Sequence, residues 1–201
     1  MRKNLLFDLG GVIVDIKRQN CVDAFIRLGL TGANDYLGEY AQKGFFMEVE
    51  DGTITADGFR SAVRALIPRQ VTDDQIDDAF QAFITGIPLS RLEALRRLRK
   101  SYKLYLLSNT NPIMWNGILA REFRKEGLRR EDYFDGMVTS FEAKAAKPDR
   151  KIFDYAVSKL GISPADTTFF DDSQVNIDAA RALGFEGILV PPGTEFTHFF
   201  E

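Results

Sequence analysis

The first apolar run of the chain, Leu5-Leu6-Phe7, ends in a carboxylate, Asp8, followed by Leu9-Gly10-Gly11. An ionised carboxylate buried without a partner costs roughly several kcal/mol. Asp8 must therefore sit at an exposed strand end or be held by a cation. Both readings point to chemistry.

Four further segments share the apolar texture of residues 5–7: residues 104–107, 137–139, 168–170 and 187–190. All five read as short buried strands. Ile152, Phe153, Ala156, Val157 and Leu160 recur at helical spacing, with Pro148 predicted in the first turn and Gly161 at the end. Ile177, Ala180 and Leu183 form a second stripe, stopped by Gly184. Strands alternating with helices predict an α/β fold, a Rossmann-like three-layer core around a parallel sheet. The stretch between Asp15 and Pro88 differs. Val22, Phe25 and Ile26, then Phe59, Val63 and Leu66, then Ile76, Ala79, Phe80, Phe83 and Ile84 follow helical spacing, and Thr72 and Gln75 have capping-box spacing ahead of the last stripe. With no strand signal among them, residues 16–88 are expected to form an all-helical cap domain inserted into a core of residues 1–15 and 89–201. Ser90 and Glu93 have a second capping-box spacing, expected to open a helix carrying Leu92, Leu95 and Leu98.

The 201 residues suffice for one core and such an insert. A formal charge of -3 implies no strong polyanion partner. Basic residues cluster at Arg96, Arg97, Arg99 and Lys100 and again at Arg121, Arg124, Lys125, Arg129 and Arg130, the second group interleaved with acidic residues. Both groups read as solvated helix faces, so no nucleic-acid partner is expected. A lone Cys21 excludes an intrachain disulfide and reads as a buried structural thiol. A lone His198 excludes a multi-histidine zinc site and would have to supply any Ser-His-Asp triad. Phe45, Phe46, Met47 and Trp115 could line a cleft but read first as packing residues. Met1-Arg2-Lys3 opens like a secretory signal, but Asp8 and the glycines break the apolar segment, and no stretch is long enough to span a bilayer. The expectation is a cytoplasmic protein, a monomer or weak dimer, with no membrane partner.

In open parallel sheets ligands bind beyond the carboxyl ends of the strands. Asp8 and Gly10 follow the first strand, Ser108-Asn109-Thr110 the second and Asp171-Asp172-Ser173 the fourth, while Lys147 lies beyond the third. Three carboxylates cannot share a small site while ionised unless a cation neutralises them. Oxygen ligands without His or Cys favour Mg²⁺, and the Gly10 carbonyl could join them. Lys147 and the Ser108 hydroxyl could hold an anion beside the metal. A dianionic phosphate suits that charge pattern, with one carboxylate free to attack phosphorus in line. Taken singly, an Asp-Asp pair reads as a helix cap and a Lys-Pro pair as a helix start. Their joint occurrence at strand exits carries the inference.

Phe7 through Asp15 resembles the first motif of the haloacid dehalogenase superfamily, and Leu106-Leu107-Ser108-Asn109 its second. Lys147-Pro148-Asp149 with Ile152-Phe153 resembles the third, and Phe169 through Ser173 with Asn176, Ala179, Ala180 and Gly184 the fourth. A helical insert after the first motif resembles that superfamily's first type of cap. The resemblance implies a Mg²⁺-dependent phosphatase acting on a small phosphorylated metabolite, a sugar phosphate or nucleotide. Asp8 would be the nucleophile that forms a phospho-aspartate, and would also be a metal ligand with the Gly10 carbonyl and Asp172. Asp171 would be a further ligand or support a bound water. Ser108 and Asn109 would bind the phosphoryl group, and Lys147 would bridge it to Asp8.

One position departs from the pattern. Most phosphatases of the superfamily carry a second Asp two residues after the nucleophile, where this chain has Gly10. General acid–base help is typically worth about 10²–10⁴ in rate. Asp15 is a candidate replacement acid or, equally, a cap for the first helix of the insert. A leaving group needing little protonation is another explanation, and a similar Asp-Leu-Gly opening occurs in a glucose-1-phosphate phosphatase-like subfamily. Two other functions stay open here: a 2-haloacid dehalogenase, which also lacks the second Asp and uses no metal, and a catalytically weak phosphate-binding or regulatory protein. The Asp171-Asp172 pair argues against metal-free chemistry.

Overall fold

The computed structural model describes residues 3–38 and 41–200, so Met1 and Arg2 of the signal-like opening lie outside the described residues. The strands are β1 Asn4–Phe7, β2 Asp15–Ile16, β3 Ile84–Gly86, β4 Lys103–Ser108, β5 Gly136–Thr139, β6 Thr167–Asp171 and β7 Glu186–Leu189. Five of them form one parallel sheet in the order β5-β4-β1-β6-β7. Leu5, Leu6 and Phe7 of the central strand are fully buried, as a strand covered on both faces requires. Side chains alternate between two clusters. Leu5 and Phe7 join Leu92, Leu95, Phe123 and Phe196 on one face, while Leu6 joins Ile152, Phe153, Ile177 and Ala180 on the other. That is the three-layer core expected from the sequence.

The helices are α1 Arg18–Leu28, α2 Ala33–Tyr36, α3 Phe45–Glu50, α4 Ala56–Leu66, α5 Asp73–Gln81, α6 Leu89–Leu98, α7 Pro112–Asn116, α8 Ile118–Phe123, α9 Arg130–Tyr133, α10 Ser140–Ala143, α11 Arg150–Leu160 and α12 Gln174–Ala182. α1 to α5 make up the insert. Its interior is an aromatic cluster in which Phe25, Phe46, Phe59 and Phe80 pack with centroids 4.8 to 6.3 Å apart. Phe46 is thus a packing residue, and Met47 is exposed. The Thr72–Gln75 capping box forms, each residue's side chain accepting from the other's backbone N–H.

Three local expectations are corrected. Ile84 belongs to β3, because α5 stops at Gln81 and residues 84–86 pair antiparallel with Asp15–Ile16. The insert is therefore joined to the core by a two-stranded ribbon, a long-range pairing that overrides the helical period. Ser90 lies inside α6 and caps nothing: Pro88, with φ of -58°, already starts the helix at Leu89. Pro148 precedes α11 rather than entering its first turn; Asp149 caps that helix by accepting from the Lys151 N–H, and the Lys147–Pro148 peptide is cis.

Arg91 of α6 ties the ribbon to the core. Its guanidinium donates to Asp15 Oδ1 at 2.8 Å, to the Ile13 carbonyl at 3.2 Å and to both Glu195 oxygens at 2.8 Å. The basic clusters are structural or solvated: Arg96 pairs with Glu126, Lys125 with Glu122, and Arg130 stacks 3.9 Å over Trp115. Cys21 is buried, and burial pushes its thiol pKa far up, which leaves it unreactive. Among the described residues no helix is long and apolar enough to cross a membrane.

Candidate active site

The central position of β1 assembles the site. Because β4 and β6 flank it in parallel, the residues just past these three strands converge at one edge. Asp8 extends β1, its N–H donating to the Phe170 carbonyl at 2.8 Å. Ser108 closes β4 and Asp171 closes β6. One carboxylate oxygen from each of Asp8, Asp171 and Asp172 lies within 4.8 Å of the others.

Lys147, buried in the loop before α11, fits between two of them. Its Nζ lies 2.7 Å from Asp8 Oδ1 and 2.7 Å from Asp171 Oδ2. Asn109 holds the lysine backbone at both ends, Oδ1 accepting from the Lys147 N–H at 2.8 Å and Nδ2 donating to the Lys147 carbonyl at 3.0 Å. The Asn109 side chain thus positions Lys147, with one Nδ2 donor and the backbone N–H left for a phosphoryl group. Asp171 is similarly engaged, accepting from Lys147, from the Ser173 N–H at 2.8 Å and from Asn176 Nδ2 at 3.0 Å. Asp172 is half-buried and faces the cavity. Asp171 thus orients the ammonium, while Asp8 and Asp172 present free oxygens.

The electrostatics favour a cation. Burial raises the Asp8 pKa to about 7, with Asp171 and Asp172 adding to the shift and Lys147 opposing it. Burial, then Asp171, raises Asp172 to about 6. Burial opposes the charge on Lys147, but Asp171 and Asp8 outweigh it and hold the ammonium above its ordinary pKa. Three carboxylates against one ammonium leave two uncompensated negative charges, which one divalent ion would cancel. An all-oxygen donor set suits Mg²⁺.

Gly11 makes the approach of Asp172 possible. Its φ is +73°, and a Cβ there would sit 2.2 Å from Asp172 Oδ2. Gly11→Ala is expected to lose roughly 1–2 kcal/mol of stability from the left-handed backbone and at least about tenfold in Mg²⁺ affinity, because Asp172 must move. Gly161→Ala is the control, with φ of +64° and nothing within 4 Å of the new Cβ. Chemical denaturation with Mg²⁺ titration should show the stability loss in both variants and the affinity loss only in the first. Equal Mg²⁺ affinity in the two would remove Asp172 from the ion site.

The cavity above these groups encloses about 100 Å³. Its walls include Asp8, Gly10, Ser108, Lys147 and Asp172 from the core and Gln42, Glu50 and Phe83 from the insert. Asp15 is not among its lining residues. Held by Arg91 in β2, it also leaves the start of α1 uncapped by any side chain, so it fills neither role expected of it. Gln42 and Glu50 carry no sequence signal, since only the folding of the insert brings them over the cavity. Space does not exclude an acid at Gly10: a Cβ there would meet only Ile16 side-chain carbons at 3.7 Å.

Comparison with known proteins agrees with this geometry. The haloacid dehalogenase-like hydrolase family matches residues 3–184. A D-ribitol-5-phosphate phosphatase of Bacteroides thetaiotaomicron is 41% identical over 186 residues, 92% of this chain and 90% of that protein. A haloacid dehalogenase family enzyme of the same organism, solved with magnesium and inorganic phosphate, superposes with a TM-score of 0.94 at 36% identity over the whole of both chains. A haloacid dehalogenase-like hydrolase of Porphyromonas gingivalis gives 0.89 at 30% identity over 98% of this chain and 94% of its own.

Proposed function

The chain belongs to the haloacid dehalogenase-like hydrolase family, and from that membership and the site geometry we propose the following mechanism and substrate class. The enzyme is a Mg²⁺-dependent phosphatase of small phosphorylated metabolites. Asp8 is the nucleophile: it lines the cavity at the end of β1 while Lys147 holds its Oδ1. Attack on phosphorus transfers the phosphoryl group to Asp8, and water then hydrolyses the phospho-aspartate. Lys147 offsets the repulsion between Asp8 and the incoming dianion. The Ser108 hydroxyl and the Asn109 N–H bind phosphoryl oxygens. Asp8, Asp172 and the Gly10 carbonyl would hold Mg²⁺, with Asp171 in support, and the ion would supply charge neutralisation for the carboxylates and the phosphoryl group. The observation that carries this reading is Lys147 Nζ at 2.7 Å from both Asp8 and Asp171 inside a cavity that also presents Asp172.

The substrate is a polyol or sugar phosphate. The cavity of about 100 Å³ receives the phosphoryl end of such a substrate, with Gln42 and Glu50 of the insert as polar partners for its hydroxyl groups. The identity of the Bacteroides thetaiotaomicron relative, a D-ribitol-5-phosphate phosphatase, supports the same class. A phosphate-release panel of alditol phosphates, sugar phosphates and nucleoside monophosphates with Mg²⁺ tests it. Alditol and sugar phosphates should exceed nucleotides in kcat/KM by at least about tenfold; nucleotides at the top of the ranking would overturn the assignment. A cytoplasmic monomer or weak dimer suits the single buried Cys21 and the scattered exposed apolar side chains Ile26, Leu66 and Val175.

A further inference from the structure

A departing alkoxide needs a proton, and among the described residues the core side of the cavity offers no acid beyond the proposed metal ligands. Gly10 has no side chain, Asp15 is paired with Arg91, and Lys147 is held between Asp8 and Asp171. We propose that Glu50, carried by the insert, is the proton donor to the leaving oxygen and the proton acceptor in the hydrolytic step. This assignment rests on the phosphatase reading above.

Glu50 ends α3 and lines the same cavity as Asp8 and Gly10. It lies two residues before the point where the insert seats on the core. There Lys144 Nζ donates to the Gly52 carbonyl, and a Cβ at Gly52 would fall 2.3 Å from the Phe141 carbonyl oxygen. Such a close fit places Glu50 over the cavity when the insert is seated. Its carboxyl has no hydrogen bond or ion pair among the described residues, unlike Asp15.

The surroundings keep it protonated. Asp51 is its neighbour in sequence, and the negative charge of Glu50 reaches the Cys21 thiol on α1. Arg18 of α1 is occupied by the Leu37 carbonyl and Asn34, and Lys144 by Gly52. α4 presents Phe59, packed on Phe46, while Asp8, Lys147 and Asp172 line the core side of the cavity. Burial first and Asp51 second raise the Glu50 pKa to about 8, so the acid enters the cycle with its proton near neutral pH.

One group can serve both steps because both use the apical position opposite Asp8. In the first, an Asp8 oxygen bonds to phosphorus, the bond to the leaving oxygen breaks, and that oxygen takes its electron pair and the Glu50 proton. In the second, water attacks phosphorus from the vacated side and gives a proton to the Glu50 carboxylate. The Asp8–phosphorus bond breaks, releasing hydrogen phosphate and restoring both residues.

The test is Glu50→Gln in the full chain with Mg²⁺, assayed on an alditol phosphate, whose alkoxide needs protonation, and on p-nitrophenyl phosphate, whose phenolate does not. In single turnover, phosphoryl transfer from the alditol phosphate should slow by about 10²–10⁴ and from p-nitrophenyl phosphate by far less, while hydrolysis of the phospho-aspartate slows equally after either substrate. The alkaline limb of the wild-type alditol phosphate profile, near pH 8 where Glu50 loses its proton, should vanish in Glu50→Gln. Glu50→Asp, which keeps the carboxyl, should recover part of the rate. Equal slowing of the transfer step on the two substrates, no loss at all, or an unchanged alkaline limb would overturn the role of Glu50 and leave the phosphatase reading intact. A wild-type enzyme releasing phosphate from neither substrate would overturn both.

Discussion

Asp8→Asn is expected to abolish turnover, lowering kcat by at least about 10⁴ on every phosphate ester, because a carboxamide cannot form the phospho-enzyme. The fold should survive. The carboxamide fills the same space and still accepts from Lys147, whose Nζ lies 2.7 Å from the native Oδ1. The metal-free variant should in fact be at least as stable as wild type at neutral pH. The folded-state pKa of Asp8, about 7, lies above its ordinary value of 3.8. Ionising it therefore costs folding free energy, and the cost grows as pH rises from about 4 to about 7 and is complete above that. Asn removes the cost across that window. The effect reverses when Mg²⁺ is added, because the ion stabilises the ionised wild type more than the variant. A pair of thermal melts at pH 7.5, with EDTA and with Mg²⁺, reads both signs. Wild-type turnover in Asp8→Asn, or a variant unfolded in EDTA, would contradict this account of the residue.

Lys147→Ala carries the largest expected stability effect. Removing the ammonium leaves Asp8 and Asp171 buried, like-charged and unpaired. Breaking such a buried ion pair costs roughly 3–5 kcal/mol, or about 6–20 °C in Tm for a chain of this size. Activity should fall with it, since nothing would then offset repulsion between Asp8 and the substrate dianion. Lys147→Met separates volume from charge: it fills the space and should lose nearly as much stability as Ala. Mg²⁺ should restore part of that loss in both variants by neutralising the same carboxylates. Melting points for the two variants with and without Mg²⁺ check this. A Tm within a degree or two of wild type in EDTA would mean that the ammonium does not hold the carboxylates together.

Much of this centre was legible in the sequence because strands end where their chemistry begins. The apolar runs before Asp8, Ser108 and Asp171 locate β1, β4 and β6, and a parallel sheet with β1 central forces their carboxyl ends together. Local order carried such information well, as the Thr72–Gln75 capping box and the Gly161 helix end also show. What local order could not carry was partnership across the chain. Ile84 has a helical phase in sequence but pairs with Ile16, nearly seventy residues earlier. Asn109 has the residue type of a phosphate ligand, yet its side chain also clamps the Lys147 backbone. Asp15 is as near to the motif as an acid can be, but Arg91 of α6 claims it. Glu50, among the acidic residues that close α3, is distinguished only by the way the insert seats on Phe141 and Lys144.

The most direct measurement is an acid-quenched single turnover with Mg²⁺ and an alditol phosphate, followed by peptide mapping by mass spectrometry. A phosphoryl group on the peptide containing Asp8, appearing before free phosphate and absent from Asp8→Asn, is the predicted result. Phosphate release with no label on that peptide at any time, or a label on another residue, would contradict it.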